Sequence, residues 1–251
     1  MAAVRTIMLT LEYDGTGYVG WQVQPNGPTI QSELERALAT MLKEPASVTG
    51  AGRTDAGVHA RAQVASLRTD KTVPVKAFVA GTNALLPKDI AVTDARERAE
   101  GFDARRSARG KIYCYRIVNR PCRSPLARRF AWEVFQPLDV EAMDRAARPL
   151  LGAHDFCAFR ASDCEARTTQ REVRRLEVRR HGDLVDLEIE ATAFLKHMVR
   201  NIVGTLVQVG QGRRAPESVA QVLASRDRTQ AGPTAPAHGL CLERVFYDEP
   251  R

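Results

Sequence analysis

Two hydrophobic periods divide the first half of the chain into strands and helices. Residues 7–13 alternate between apolar and polar side chains, which predicts a strand, because successive side chains of a strand point to opposite faces. Apolar residues then recur at helical spacing between Thr29, which can begin a helix, and Pro45, which ends it. The same two patterns predict strands at residues 63–67 and 90–92 and a helix between Pro74 and Pro87.

The second half of the chain repeats this mixture of elements. The patterns predict strands at 111–118, 130–135, 171–180, 184–193 and 240–247 and helices at 139–151, 198–209 and 217–225. A tight turn at 181–183 joins two of these strands into a hairpin with no crossover, which favours an α+β fold with a largely antiparallel sheet. No low-complexity linker separates the halves, so we expect a lobe boundary near residues 105–110 and lobes that share one sheet or a tight interface.

The distribution of charge points to a polyanionic partner. The chain has 251 residues and a formal net charge of +7, and its apolar content of 44% is enough for a core. Arginine dominates two dense basic stretches, and its planar fork suits phosphate. The first stretch, which contains no acidic residue, holds Arg105, Arg106, Arg109, Lys111, Arg116, Arg120, Arg123, Arg128 and Arg129, and the second holds Arg160, Arg167, Arg171, Arg174, Arg175, Arg179 and Arg180. Tyr113 and Tyr115 lie within the first stretch, a combination typical of RNA binding.

The cysteines and histidines suggest neither disulfides nor a metal site. The five cysteines form no C-x-x-C pair, and no secretory leader or apolar run of about 20 residues is visible, so we expect a reduced, cytoplasmic protein without a membrane span. His154 and Cys157 have a spacing that could share a metal, but no second pair completes a zinc site.

The segment 52–60, with the sequence GRTDAGVHA, is the strongest candidate for chemistry. It places Asp55 between Gly52 and Gly57, with Arg53 two residues earlier. Small neighbours let a bulky substrate approach a carboxylate, and a nearby cation favours its ionised form. Taken alone, such a segment is more commonly a glycine-rich structural turn, and the case for chemistry depends on agreement with other parts of the chain.

Part of this motif occurs a second time in the chain, which allows the two copies to be compared. The tripeptide Arg-Thr-Asp recurs at residues 68–70, but the sequence KTVP follows and no glycine lies nearby. We predict that this second copy is a solvated turn after a strand, because aspartate is favoured in turns and is mostly exposed.

A second motif, G-x-G-x-x-G at residues 15–20, would suggest a dinucleotide site. Such a site needs a helix that begins within the glycines, so that its N-terminus faces the pyrophosphate. Here the sequence PNGP follows at 25–28 and the predicted helix begins only at residue 29. The motif therefore does not predict an oxidoreductase.

Along nearly its whole length the chain resembles the tRNA pseudouridine synthase A (TruA) family. The resemblance rests on the joint order and spacing of short blocks, at residues 13–15, 20–24, 29–31, 52–60, 83–87, 102–105, 111–115, 154–156, 194–204 and 235–240. One departure is Cys241, where relatives often carry an aromatic residue, and it bears on packing beside the pocket.

The resemblance implies an enzyme that isomerises uridine to pseudouridine in the anticodon stem-loop of tRNA, at tRNA positions 38, 39 and 40. It also implies two similar ferredoxin-like α/β lobes around a central, largely antiparallel sheet, which we place at residues 1–107 and 108–251. Family members are homodimers and need no metal or organic cofactor. A non-catalytic tRNA-binding module on the same scaffold is the alternative, and it would need the basic groove but no acid at position 55.

The resemblance also assigns roles to individual residues. Asp55 carries over as the essential carboxylate, which could attack the sugar, add to the base or remove a sugar proton. Arg200 lies in an apolar helical segment, where a buried cation requires a partner, and the resemblance supplies Asp55 for that ion pair.

Three further residues are expected to contact the substrate. Tyr113 carries over as the residue that stacks on the target uracil, while Tyr115, on the same strand face, is either a pocket neighbour or core. Arg53 matches the cation that helps to extrude the base, with a loop-fixing salt bridge as its alternative role. Leu240 is expected to form an apolar wall of the pocket, although core packing explains it nearly as well.

Overall fold

The computed structural model describes residues 4–248, and the bounds that follow refer to them. The strands are β1 (Arg5–Tyr13), β2 (Val48–Gly50), β3 (His59–Thr69), β4 (Ile90–Arg98), β5 (Ala108–Asn119), β6 (Trp132–Val134), β7 (Gly152–Asp155), β8 (Gln170–His181), β9 (Leu184–Ala191) and β10 (Leu240–Tyr247). The α-helices are α1 (Ile30–Leu42), α2 (Val75–Asn83), α3 (Val140–Ala147), α4 (Met198–Gly210) and α5 (Ser218–Ser225). Short 3-10 turns occur between them. The predicted α+β class, with a large and mostly antiparallel sheet, is confirmed.

The described chain divides into two compact units. The first contains residues 4–109 and 242–248, and the second contains residues 110–241. The first unit therefore includes most of β10, a strand from the C-terminal end of the chain. The predicted lobes at 1–107 and 108–251 stay a prediction.

In the first unit, β1 lies between β3 and β4 and is antiparallel to both. β2 pairs with β3, and β10 is the other neighbour of β3. The alternation that predicted β1 is present, but Thr6 and Met8 on its second face are also buried. The first part of the polar-looking face is thus covered as well, which alternation alone did not indicate, while Glu12 at its other end is exposed.

The start of α1 follows from its sequence. The Thr29 hydroxyl accepts a hydrogen bond from the Ser32 amide at 3.1 Å, and the Ser32 hydroxyl accepts one from the Thr29 amide at 3.2 Å. This reciprocal pair satisfies two amides at the first turn, where helical partners are missing. The helix ends at Leu42, and Lys43 adopts a positive φ of 57°, two residues before Pro45.

In the second unit, β5, β9, β8 and β7 form an antiparallel series, and β6 is parallel to β5. The predicted hairpin between β8 and β9 is confirmed, with Gly182 at a φ of +61° in its turn. Helix α4 is buried on more than one face, since Val199, Val203 and Val207 are buried together with the predicted apolar stripe, while Arg200 and Gln208 are half-buried.

The predicted elements are present, and the differences concern short or extended strands. β2 and β7 were not predicted, because each has only three or four residues and too few positions for a period to appear. β6 is shorter than predicted, and β3 begins already at His59. Across residues 4–248, we find no helix with the length and apolar character needed to cross a membrane.

Candidate active site

Asp55 lies in the loop that joins β2 to β3 in the first unit. Its carbonyl accepts a hydrogen bond from the Val58 amide at 3.1 Å, which closes a turn over Gly57. Gly57 has a φ of +77°, a conformation that residues with a side chain rarely adopt. The chain therefore reverses direction between Asp55 and Val58, just before β3 begins, and the Asp55 side chain is half-buried.

Buried polar side chains brace this loop on the N-terminal side of Asp55. The hydroxyl groups of Thr54 and Tyr13 are 2.8 Å apart, within hydrogen-bond distance. The side-chain Nε2 of Gln63 donates to the Gly52 carbonyl at 2.8 Å and lies 3.5 Å from the Tyr13 hydroxyl. The exposed fractions of Tyr13, Thr54 and Gln63 are only 3%, 6% and 0%. Because buried polar groups are costly to leave unpaired, this network fixes the backbone next to the carboxylate.

The G-x-G-x-x-G segment also supports the Asp55 loop. Residues Gly15–Gly17 form a 3-10 turn and α1 begins only at Ile30, so the structural requirement of a dinucleotide site is not met. A Cβ at Gly15 would lie 2.0 Å from the Val58 carbonyl oxygen, and one at Gly20 would lie 2.7 Å from that of Thr54. The glycines thus allow two backbones to pack together.

Two polar contacts complete this packing. The Trp21 amide donates to the Thr54 carbonyl at 3.1 Å. The Gly15 amide donates to Nδ1 of the buried His59 at 3.1 Å, which ties the start of β3 to the glycine segment. Sequence reasoning missed this role of the segment, although the motif itself was visible.

Arg53 is exposed at the surface of the loop. Among residues 4–248 its side chain forms no salt bridge, so the loop-fixing ion pair considered for it is absent there. Its predicted contact with the extruded base stays a prediction.

The second unit contains Tyr113, Arg200 and Leu240. Tyr113 lies on β5 opposite Ile189 and is 7% exposed. Its ring meets that of Phe194 edge-on, with centroids 5.0 Å apart and an interplanar angle of 83°. Such a pair is favourable and fixes the plane of the tyrosine ring. Sequence reasoning did not assign a role to Phe194, although the residue begins one of the recognised blocks.

Tyr115 is a core residue rather than a pocket neighbour. It is fully buried, its hydroxyl donates to the Pro236 carbonyl at 2.7 Å, and a Cβ on Gly239 would lie 2.6 Å from its ring. Burial raises the pKa of the Tyr115 hydroxyl, and the positive charge of Arg200 opposes that rise. The hydroxyl therefore stays protonated at neutral pH and serves as a donor.

Arg200 lies in the first turn of α4 and is half-buried. Its Nε donates to the Ala235 carbonyl at 2.8 Å, and the Ala235 amide donates to the Arg200 carbonyl at 3.1 Å. Leu240, which is 6% exposed, follows the glycine that packs on Tyr115. Asp55 belongs to the first unit, so its predicted ion pair with Arg200 stays a prediction.

A sequence comparison decides the family. The profile of a family described as tRNA pseudouridine synthase matches residues 10–105 and 146–248. The chain belongs to the tRNA pseudouridine synthase family. The matched residues include Arg53, Asp55, Arg200 and Leu240, whereas Tyr113 lies between the two matched segments.

Individual relatives extend the match across the chain. The chain is 61% identical over 242 residues to the tRNA pseudouridine synthase A of Myxococcus xanthus, which covers 96% of this chain and 91% of the relative. It is 52% identical over 244 residues to that of Pelobacter propionicus and 51% identical over 244 residues to that of Geotalea uraniireducens, covering 97% of this chain and all of each relative. The predicted membership of the tRNA pseudouridine synthase A family is confirmed.

Both arginine stretches of this family member contain paired and unpaired side chains. In the second stretch, three arginines pair with carboxylates of β8 and β9. Arg174 lies 3.7 Å from Glu190, Arg175 pairs with Glu188, and Arg179 lies 2.7 Å from Glu177. In the first stretch several exposed side chains make no salt bridge within residues 4–248: Arg105, Arg106, Arg123 and Arg128. Arg109, Arg116 and Arg120 of the first stretch do pair with carboxylates. In the second stretch, the exposed Arg167 and Arg180 form no salt bridge within residues 4–248. Both stretches therefore present uncompensated positive charge to a polyanion.

In residues 4–248 of this synthase, no three side chains among His, Cys, Asp and Glu are grouped so that they could hold a metal ion. Nε2 of His154 donates to the Leu151 carbonyl at 2.7 Å. One ring nitrogen of His154 is thus hydrogen-bonded to the backbone three residues earlier.

Proposed function

We propose that this protein converts uridine to pseudouridine in the anticodon stem-loop of tRNA, at tRNA positions 38, 39 and 40. Membership of the tRNA pseudouridine synthase family supports the reaction and the substrate class. The observation that carries the assignment of the site is the loop of Asp55, in which buried contacts fix Gly52 and Thr54 while the aspartate stays half-buried. A carboxylate held in this way is oriented but accessible.

The reaction breaks the bond between C1′ of the ribose and N1 of uracil, rotates the base and rejoins it through C5. It needs no oxidant, reductant or energy source. Asp55 supplies the carboxylate, by attack on the sugar, by addition to the base or by removal of a sugar proton. In this proposal Arg200 supplies the opposing charge of an ion pair that orients this carboxylate.

The remaining residues receive the base after it leaves its stack. Tyr113, whose ring plane is set by Phe194, stacks on the uracil. Leu240 contributes apolar surface beside it. Arg53, which is exposed on the loop, fills the gap in the RNA and offsets part of the few kcal/mol that unstacking costs.

Binding of the tRNA depends on arginine. The net charge of +7 and the uncompensated side chains of the first stretch favour phosphate contacts. Each contact releases a counterion, so the affinity for tRNA falls steeply as salt rises, and an affinity that is flat between low and moderate salt would contradict this. We also propose that the enzyme is a cytoplasmic homodimer that uses no cofactor.

The test is conversion of a tRNA transcript by the purified protein and by Asp55→Asn, with pseudouridine mapped at single-nucleotide resolution. We expect conversion at positions 38, 39 and 40 by the unmodified protein and none by the variant, with tRNA affinity changed less than about threefold because no phosphate contact is removed. If the unmodified protein binds the transcript but leaves every uridine intact, it is a tRNA-binding module instead.

A further inference from the structure

The segment between β5 and β6, residues 120–131, carries an unusually exposed apolar side chain. We refer to this segment as the arginine loop. Leu126 is 95% exposed, the highest value among the exposed large apolar side chains of residues 4–248. Phe130 in the same loop is 45% exposed. Exposed apolar surface of this kind commonly marks an interaction site.

The backbone of the arginine loop is held by its own hydrogen bonds. The Ser124 carbonyl accepts from the amides of Ala127 and Arg128 at 3.1 and 3.0 Å. The Arg120 guanidinium donates to the carbonyls of Cys122 and Arg123 at 3.1 and 2.9 Å, and the Ser124 amide donates to the Glu133 carboxylate. Leu126 therefore lies at the tip of a preformed turn, which lowers the entropy that a partner must remove on binding.

The charge of the arginine loop restricts the chemistry of its partner. No acidic residue occurs from residue 111 to residue 132. Arg123 and Arg128 are exposed and form no salt bridge within residues 4–248, and the Arg129 guanidinium lies over the Phe130 ring, 6.0 Å from its centroid. A second copy of the same loop would bring like charges together. Phosphates beside flat, apolar bases match both the cations and the apolar tip.

The arginine loop leaves the end of β5 and turns back along it. Seven residues of extended chain lead from Tyr113 to Arg120, which is about 23 Å at the rise of a strand. β6 is parallel to β5 and places Trp132 beside Ile117, so the chain returns toward Tyr113 across the loop. Leu126 and the exposed arginines lie on this turn, in the same unit as Tyr113.

We infer that the arginine loop is a second RNA contact of this protein, which holds unpaired bases on Leu126 and Phe130 and flanking phosphates on Arg123 and Arg128. This inference rests on the proposed function for its substrate, tRNA. It assigns the loop to affinity and to placement of the RNA rather than to the chemical step.

The test compares the double variant Arg123→Gln/Arg128→Gln with a control that loses the same charge elsewhere, Arg145→Gln/Arg148→Gln. The control arginines are 54% and 71% exposed, and their nearest carboxylates are 4.0 and 3.9 Å away. The measurements are the Kd for a tRNA transcript at several salt concentrations and the single-turnover rate at saturating protein. The loop variant should raise Kd about tenfold and reduce the slope of log Kd against log salt by about 1.5, as expected for two lost phosphate contacts. Its saturated rate should stay within about twofold of the unmodified protein, and the control should change neither quantity.

Leu126→Ala tests the apolar tip separately. We expect a Kd about threefold higher with an unchanged salt slope, because no charge is lost, and recovery in Leu126→Phe, which restores a surface for stacking. Equal Kd values for loop variants and control would overturn the inference. So would loop variants that alter the sedimentation coefficient but not the Kd, since the loop would then contact protein. A fall in the saturated rate would place the loop at the chemical step and equally overturn it.

The two proposals fail in different ways. If the unmodified protein makes pseudouridine and the loop variants bind tRNA as tightly as it does, only the inference about the loop is wrong. If it binds tRNA without making pseudouridine and the loop variants weaken that binding, only the proposed reaction is wrong.

Discussion

The tripeptide Arg-Thr-Asp occurs twice in the first unit, and the two copies differ in the backbone around them and in the burial of the aspartate. At 53–55 it lies in a loop in which Gly57 has a positive φ and the backbone of Gly20 packs against Thr54. At 68–70 it ends strand β3, and Asp70 is exposed as predicted, although residues 70–74 form an irregular segment rather than a turn. Local sequence identity therefore does not specify a site.

The threonines sharpen this contrast because both are buried. Thr54 is within hydrogen-bond distance of the Tyr13 hydroxyl, inside a network that continues to Gln63. Thr69 instead accepts from the Lys71 amide at 3.1 Å and donates to Glu44 at 3.3 Å. The first hydroxyl fixes a loop that holds a candidate catalytic group, whereas the second fixes only a strand end. The following predictions test that difference.

The largest effect is expected at the carboxylates. Asp55→Asn should reduce pseudouridine formation at least about a thousandfold, because the neutral amide is neither a nucleophile nor a base. Asp70→Asn, the matched substitution, should stay within about twofold of the unmodified enzyme. Single-turnover assays on one transcript give the rate of each variant. A similar loss of rate in Asp55→Asn and Asp70→Asn would contradict a special role for Asp55.

The next effect is expected at the glycines beside the loop. Gly20→Ala places a Cβ 2.7 Å from the Thr54 carbonyl at a φ of +104°, and should cost about 2–4 kcal/mol of unfolding free energy and displace Asp55. Gly17→Ala meets no atom within 4 Å and should change stability by less than about 0.5 kcal/mol. Denaturant unfolding of both variants checks this. Equal stabilities would show that the backbone moves to accommodate a Cβ at position 20 beside the Thr54 carbonyl without cost.

A smaller and more selective effect is expected at the threonines. Thr54→Val and Thr69→Val should each cost about 1–2 kcal/mol of stability, since each removes the hydrogen bonds of a buried threonine. Only Thr54→Val should also lower kcat, by about tenfold, with KM nearly unchanged and recovery in Thr54→Ser. Steady-state kinetics at a temperature well below both melting points separates kcat from stability. A normal kcat in Thr54→Val would mean that the network stabilises the fold without positioning Asp55.

The smallest effect is expected at the exposed arginines of the two tripeptides. Arg53→Gln should lower kcat/KM several-fold if its side chain replaces the extruded base, whereas Arg68→Gln removes the same charge from β3 and should have little effect. A transcript with the target uridine in a single-stranded segment should reduce the Arg53→Gln defect, since little unstacking is then needed. An equal defect on both transcripts would contradict the proposed contact.

The elements of the fold were predictable from the sequence where the signal is local. The cap at Thr29, the hairpin turn at Gly182 and the alternation of β1 all act over a few neighbouring residues, and each is present. β2 and β7 were not predictable, because three or four residues carry no measurable period. The burial of α4 around Arg200 was predictable from its apolar neighbours, whereas the burial of the polar Asn201 and Thr205 in the same helix carried no such signal.

The sequence by itself determined the family, the loop that holds Asp55 and the candidate residues, because motifs, caps and periodicities depend on neighbours along the chain. Only the tertiary structure decided what supports them. The partner of Thr54 lies 41 residues away, and the carboxylates that neutralise Arg174 and Arg175 come from an adjacent strand. Such contacts depend on which elements pack together, and packing brings together residues whose separation along the chain carries no local signal.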